Sequence, residues 1–164
     1  MLKTIRLVSF AFLIAAVSVT AGSKDDGFSG KWVLDKAQQS PDAPGNLECR
    51  IKQDGGGINI EATFKEPENG IVPLLYLGIM TTRMHLAADG STQQNQIGPF
   101  QMASKTTVNG NTMDTEWTAV VKDDQVQGHW THTLSDDGKH MTLEIKENST
   151  QGQNAQATLH FVKK

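Results

Sequence analysis

The chain has 164 residues, a formal net charge of −3, 37% hydrophobic and 20% charged residues, and a single cysteine. That is the length of one domain with a core of its own, and the apolar content argues against disorder. The near-neutral balance gives no basic stripe for a phosphate backbone, so nucleic acid is not an expected partner; one cysteine excludes a disulfide framework and a cysteine-rich zinc site.

Lys3 and Arg6 precede an apolar run over residues 7–19, broken only by Ser9 and Ser18, and Val19-Thr20-Ala21 is a small-residue cleavage pattern. Those regions in that order predict a secretory signal peptide over 1–21. The run is shorter than the roughly 20 residues of a membrane-spanning helix. Residues 22–27 then read as a short flexible start of the mature chain, and 28–164 as one domain without a membrane span. The expected location is secreted or periplasmic.

From Phe28 onward the pattern alternates with period two, which predicts strands. In Leu47-Glu48-Cys49-Arg50-Ile51-Lys52 the odd positions are apolar, so Cys49 shares a face with Leu47 and Ile51 and is expected to be buried. Asp54-Gly55-Gly56-Gly57 turns the chain, and Ile58, Ile60, Ala62 and Phe64 face inward on the next strand. Residues 71–80 are apolar on both faces and fit a buried strand, a short helix or a lid; Pro73 argues against a central strand. If that segment is exposed, Ile71, Leu74, Leu75, Tyr76 and Leu77 would form a surface for a protein partner. Alternation then resumes with Met80, Thr82, Met84 and Leu86 on one side and Arg83 and His85 on the other, up to a turn at Ala88-Asp89-Gly90-Ser91.

The later turns permit a test of register. A two-residue loop at Asn109-Gly110 sets Met102 opposite Trp117, Ser104 opposite Thr115 and Thr106 opposite Met113. A loop at Asp123-Asp124 sets Trp117 opposite Trp130, Thr115 opposite His132 and Met113 opposite Leu134. A four-residue turn over residues 135–138 sets Trp130 opposite Leu143 and His132 opposite Met141, and a polar loop over 148–154 precedes the final strand. Each turn keeps the apolar set on one face, as a continuous antiparallel sheet requires. About eight to ten strands result, with no amphipathic helix, and a sheet that long closes or splits. The prediction is an all-β, up-and-down meander closing into a barrel, with a β-sandwich as the alternative.

Gly30-Lys31-Trp32-Val33-Leu34-Asp35, followed by Ser40-Pro41, and Asp136-Asp137-Gly138-Lys139 before Met141-Thr142-Leu143 resemble the opening strand and penultimate hairpin of small secreted bacterial lipocalin-like proteins. The Gly-x-Trp is the carrier of that resemblance, which implies a calycin-type barrel whose Trp plugs the closed end, and small-molecule binding. The chain departs from it in having no Thr-Asp-Tyr turn, no match to the late arginine beside the Trp, and no helix after the last strand.

The inward face is where a ligand would sit. One row, Met102, Trp117, Trp130 and Leu143, is an apolar shelf; the next, Ser104, Thr115, His132 and Met141, adds hydroxyls and an imidazole. Apolar walls with a few convergent polar groups are how small-molecule sites are built, and methionines adapt to what they hold. The candidate ligand-binding residues are therefore Met102, Ser104, Thr115, Trp117, Trp130, His132 and Met141, with His132 orienting the polar end of a largely apolar ligand. The competing reading is a filled barrel serving as an interaction module of the cell envelope.

Metal and catalytic readings have less behind them. His129 and His132 are three apart on a strand and face opposite ways, with His129 expected opposite Glu144 and His140 opposite Thr133, so no site of three or four ligands assembles. There is no nucleophile elbow or phosphate loop, and the paired Asp114 and Glu116 lie on the outer face. A hydrolase is the third reading, and no cofactor or metal is expected.

Overall fold

The structure is a computed structural model and describes residues 27–38, 46–64, 81–121 and 123–164. The strands among them are β1 (Gly30–Leu34), β2 (Leu47–Asp54), β3 (Gly57–Phe64), β4 (Thr81–Ala87), β5 (Asp89–Ile97), β6 (Phe100–Asn109), β7 (Thr112–Val121), β8 (Asp124–Leu134), β9 (His140–Ser149) and β10 (Asn154–Lys163). No helix occurs among the described residues. The predicted signal peptide and the apolar segment 71–80, with Ile71, Leu74, Leu75, Tyr76 and Leu77, lie outside the described residues.

All ten strands join one antiparallel sheet in the order β4-β3-β2-β1-β10-β9-β8-β7-β6-β5. Every chain neighbour is a sheet neighbour except β4 and β5, and β1 meets β10 to bring the two ends of the meander together. The sheet curls until β4 and β5 lie side by side, so the barrel is nearly closed. No backbone ladder joins those two edges. Asn95 on β5 spans the seam instead: its Oδ1 accepts from the backbone N–H of His85 at 2.6 Å, and its Nδ2 donates to the His85 carbonyl at 2.9 Å.

Period-two alternation sorts the side chains as a one-sided core demands. Leu47, Cys49 and Ile51 are buried on β2, Ile58, Ile60, Ala62 and Phe64 on β3, and Thr82, Met84 and Leu86 on β4. On β1 Trp32 is 0% exposed and donates from Nε1 to the Phe28 carbonyl at 2.9 Å. Lys163 Nζ lies 5.3 Å from the centre of its ring, a cation–π contact. The cation beside this Trp is a lysine on the last strand, not the late arginine of the resembled family.

The hairpin registers correct the predicted pairings while keeping the predicted faces. In the first, Asn109 pairs with Thr112, so the loop is Gly110-Asn111, with Gly110 at φ 57°. In the second, Val121 pairs with Asp124, and Asp123 takes a φ of 67°. In the third, Leu134 pairs with Met141 and the Ser135 N–H donates to the His140 carbonyl, which moves that loop one residue along. Sliding a loop by one residue shifts every partner by two, and two is the side-chain period of a strand. Thus Met102 faces Ala119, not Trp117; Trp117 faces Ser104 and Gly128, not Trp130; Trp130 faces Thr115 and Ile145; and His132 faces Met113 and Leu143. On the outside, His129 pairs with Glu116 and Lys146 rather than Glu144, and His140 with Val162 rather than Thr133.

Candidate ligand site

Five inward rows cross the β6–β10 side of the barrel. The middle three are Ser104, Trp117, Gly128 and Glu147; then Thr106, Thr115, Trp130, Ile145 and Ala157; then Val108, Met113, His132, Leu143 and Leu159. Large and empty positions alternate, which is how rings fit inside a small barrel. Gly128 shows the need most clearly, because a Cβ there would fall on the Trp117 indole. Freed of that clash, Trp117 packs on Trp130 with ring centres 5.2 Å apart and planes tilted by 52°.

Between this wall and β2–β4 lies an enclosed lumen pocket of about 30 Å3. One side is Leu47, Cys49, Ile60, Ala62, Phe64 and Met84; the facing side is Trp130, His132, Leu143, Ile145 and Leu159. The space equals one or two waters, against about 300–1,000 Å3 for ordinary ligand pockets.

Of the predicted site residues, Trp130 and His132 line this pocket. Met102, Ser104, Thr115, Trp117 and Met141 are buried inside the barrel but not on the pocket surface. Two of the predicted hydrogen-bonders already have protein partners. Thr115 shares a hydrogen bond of 2.9 Å with Thr106, and the Ser104 hydroxyl reaches the Gln93 carbonyl at 3.5 Å.

His132 is different. It is 5% exposed, and its Nδ1 has no hydrogen-bond partner in the structure. Desolvation by burial lowers its pKa to about 4, against smaller upward contributions from the Asp114 charge and the Met113 backbone. The ring is thus neutral at physiological pH. Thr82 Oγ1 on β4 and Trp117 Nε1 are likewise buried without a partner. Thr82 pairs with Ala62, which lines the pocket.

Two further groups bear on the lumen. Burial, and secondarily the Glu48 charge, pushes the Cys49 thiol up to about 12, so it stays a thiol. Glu147, 1% exposed, accepts from Trp130 Nε1 through Oε1 at 3.2 Å. Sequence reasoning missed this buried acid, yet carrying the alternation of Met141, Leu143 and Ile145 one step further lands on it.

A wider depression, about 600 Å3, lies instead on the solvent face of β5–β9, among Lys105, Glu116, His129 and Lys146. It is open and lined by exposed charged side chains, with His129 Nε2 at 3.3 Å from Asp114 Oδ1. Among the described residues no cluster of three or more His, Cys, Asp or Glu could hold a metal ion.

Against solved structures the fold has clear counterparts. One is described as the REP1-NXSQ fatty acid transporter, with a TM-score of 0.54 and 14% identity over 83% of this chain and 95% of that one. A secretory abundant heat soluble protein from Ramazzottius varieornatus gives a TM-score of 0.56 and 12% identity over 85% of this chain and 96% of that one. The chain has a lipocalin-like β-barrel fold. A second protein of that kind from the same organism, secretory abundant heat soluble protein 4, aligns with this barrel at a TM-score of 0.50 and 13% identity, over 85% of this chain and 96% of that one. No protein-family profile matches the chain, and no curated protein does either. The neighbours are described by transport and heat solubility, not by enzymatic activity.

Proposed function

We propose that this barrel is a secreted or periplasmic carrier that binds a small, largely apolar ligand in its lumen. The observation that carries the reading is His132: a neutral, buried imidazole with a bare Nδ1 on the wall of an otherwise apolar pocket. An unsatisfied buried polar group costs stability of about 1–3 kcal/mol, so its retention points to a partner that arrives from outside. A barrel neighbour described as a fatty acid transporter supports the same reading. So does the N-terminal sequence, for the location.

The ligand would lie against Trp130, Leu143 and Leu159, its polar end at His132. The resting space of about 30 Å3 is too small for it, so binding requires side chains to move. Met84 on the opposite wall is the side chain best suited to that, being unbranched and adaptable. The barrel's function is then tied to a lumen that widens on loading.

The small resting volume also favours a second reading, a filled barrel acting as an envelope interaction module. Against it, the described surface has one large exposed apolar side chain, Val120, which is little for a docking face. Native mass spectrometry of the protein from its own host, with organic extraction, separates the two. A stoichiometric apolar passenger, lost on replacing Trp130 and His132, is the expected result. A bare mass, with no tryptophan-fluorescence response to a lipid panel, would transfer the case to the interaction module.

A further inference from the structure

We infer that the lumen selects an uncharged amphiphile with a hydroxyl head, such as a long-chain alcohol, over a fatty-acid anion, with the His132 imidazole and the Thr82 hydroxyl as the head-group contacts. The inference rests on the carrier reading above and names the ligand class.

Hydrogen-bonding capacity comes first. Thr82 Oγ1 can donate and accept, and a neutral imidazole nitrogen does one or the other according to tautomer. Thr82 Oγ1 and His132 Nδ1 are both buried without a partner; His132 lines the lumen pocket, and Thr82 pairs with Ala62, which lines its opposite side. An alcohol donates and accepts, so it matches either tautomer of His132 and can satisfy both of these groups. A carboxylate only accepts, so it can take the Thr82 O–H but is met by His132 Nδ1 only in the tautomer that carries the proton there.

Charge is the second consideration. An ionised carboxylate in an apolar interior needs a cation or a dense set of donors. Among the described residues no lysine or arginine is buried: Arg50, Lys52, Arg83, Lys105 and Lys146 are all exposed. His132 cannot stand in, since burial keeps it neutral down to about pH 4. Among the described residues, the titratable groups that face inward are His132, Cys49 and Glu147. Glu147 adds a second acid on the Trp130 wall, where a ligand carboxylate would meet a group of its own kind.

The test is a matched titration of the delipidated protein at pH 7.5 with 1-dodecanol, dodecanoate and 1-methoxydodecane, read by calorimetry and tryptophan fluorescence. The expected result is dodecanol binding at least about tenfold tighter than dodecanoate, because the anion lacks a buried counter-charge. Dodecanol should also beat the ether, which cannot donate, and His132→Leu should erase that advantage while His132→Gln keeps part of it. Dodecanoate binding as tightly as dodecanol overturns the inference and leaves the carrier reading standing. Binding by none of the three overturns both. The wild-type comparison decides the matter even where a variant fails to fold.

Discussion

Asn95 binds both backbone polar groups of His85 with one side-chain amide. It does for the β4–β5 seam what a rung of backbone ladder does elsewhere in the sheet. Its replacement leaves the half-buried N–H and carbonyl of His85 without their partner. Asn95→Leu should lower stability by about 1–3 kcal/mol, the cost of stranded polar groups. In urea the midpoint should fall with the slope unchanged. An unchanged midpoint would mean that the seam holds by side-chain packing alone.

Gly128 is the counterpart on the other side of the barrel, where an absent side chain makes room for Trp117. Gly128→Ala should cost about 1–3 kcal/mol through overpacking. It should also shift tryptophan emission, because Trp117 cannot move without disturbing Trp130. Wild-type stability and an unchanged spectrum in this variant would show that the ring has another place to go.

His132 makes stability depend on pH in a direction set by burial. Its pKa is about 4 when folded and about 6.5 when unfolded, so between those values the unfolded chain binds the extra proton. Stability then rises with pH across that window. The full loss on going from pH 7 to pH 4 is on the order of 3 kcal/mol for this group. His132→Leu should flatten that window, measured by denaturation at pH 7.5, 5.5 and 4. At pH 7.5 the same variant should be no less stable than wild type, since it removes a buried orphan nitrogen. A large loss there would mark His132 as a structural residue.

Cys49 should resist thiol reagents. Its thiol is buried and raised to about 12, so little thiolate forms at pH 8 and reagents wait for the barrel to open. Labelling by a disulfide reagent is expected to track unfolding across a urea series. Fast labelling without denaturant would mean that the β2 wall opens locally.

Faces were legible in the sequence, and rows were not. Leu47, Cys49 and Ile51, or Met141, Leu143 and Ile145, announce their face by alternation alone, because one residue of strand flips one side chain. Which residues touch across strands depends on where each loop sits, and Asn109-Gly110-Asn111 accommodates a two-residue loop in more than one place. Gly110 at a positive φ as the first loop residue decides it. The Trp117–Trp130 contact survived the displaced register because indoles are large enough to meet on the diagonal. His132 stood out as the one inward imidazole on its strand, whereas its missing partner could be seen only once Ser104 and Thr115 were found bonded elsewhere. Asn95 had no signal at all: it sits in Gln93-Gln94-Asn95-Gln96, and only the curl of the sheet brings it to His85.

Strand β1 lies between β2 and β10, so Trp32 has Cys49 on one flank and Lys163 on the other. The surroundings of Trp32 are thus made from the first and last strands together. A chain under synthesis can form β1 to β4 early, but the second flank of β1 exists only once β10 has been made. Closure of the sheet therefore waits for β10, and contacts this distant in sequence form slowly. Until then each unfinished chain carries an open strand edge that another copy can pair with. Strand β10 decides whether a newly made molecule closes its sheet or remains a seed for aggregation.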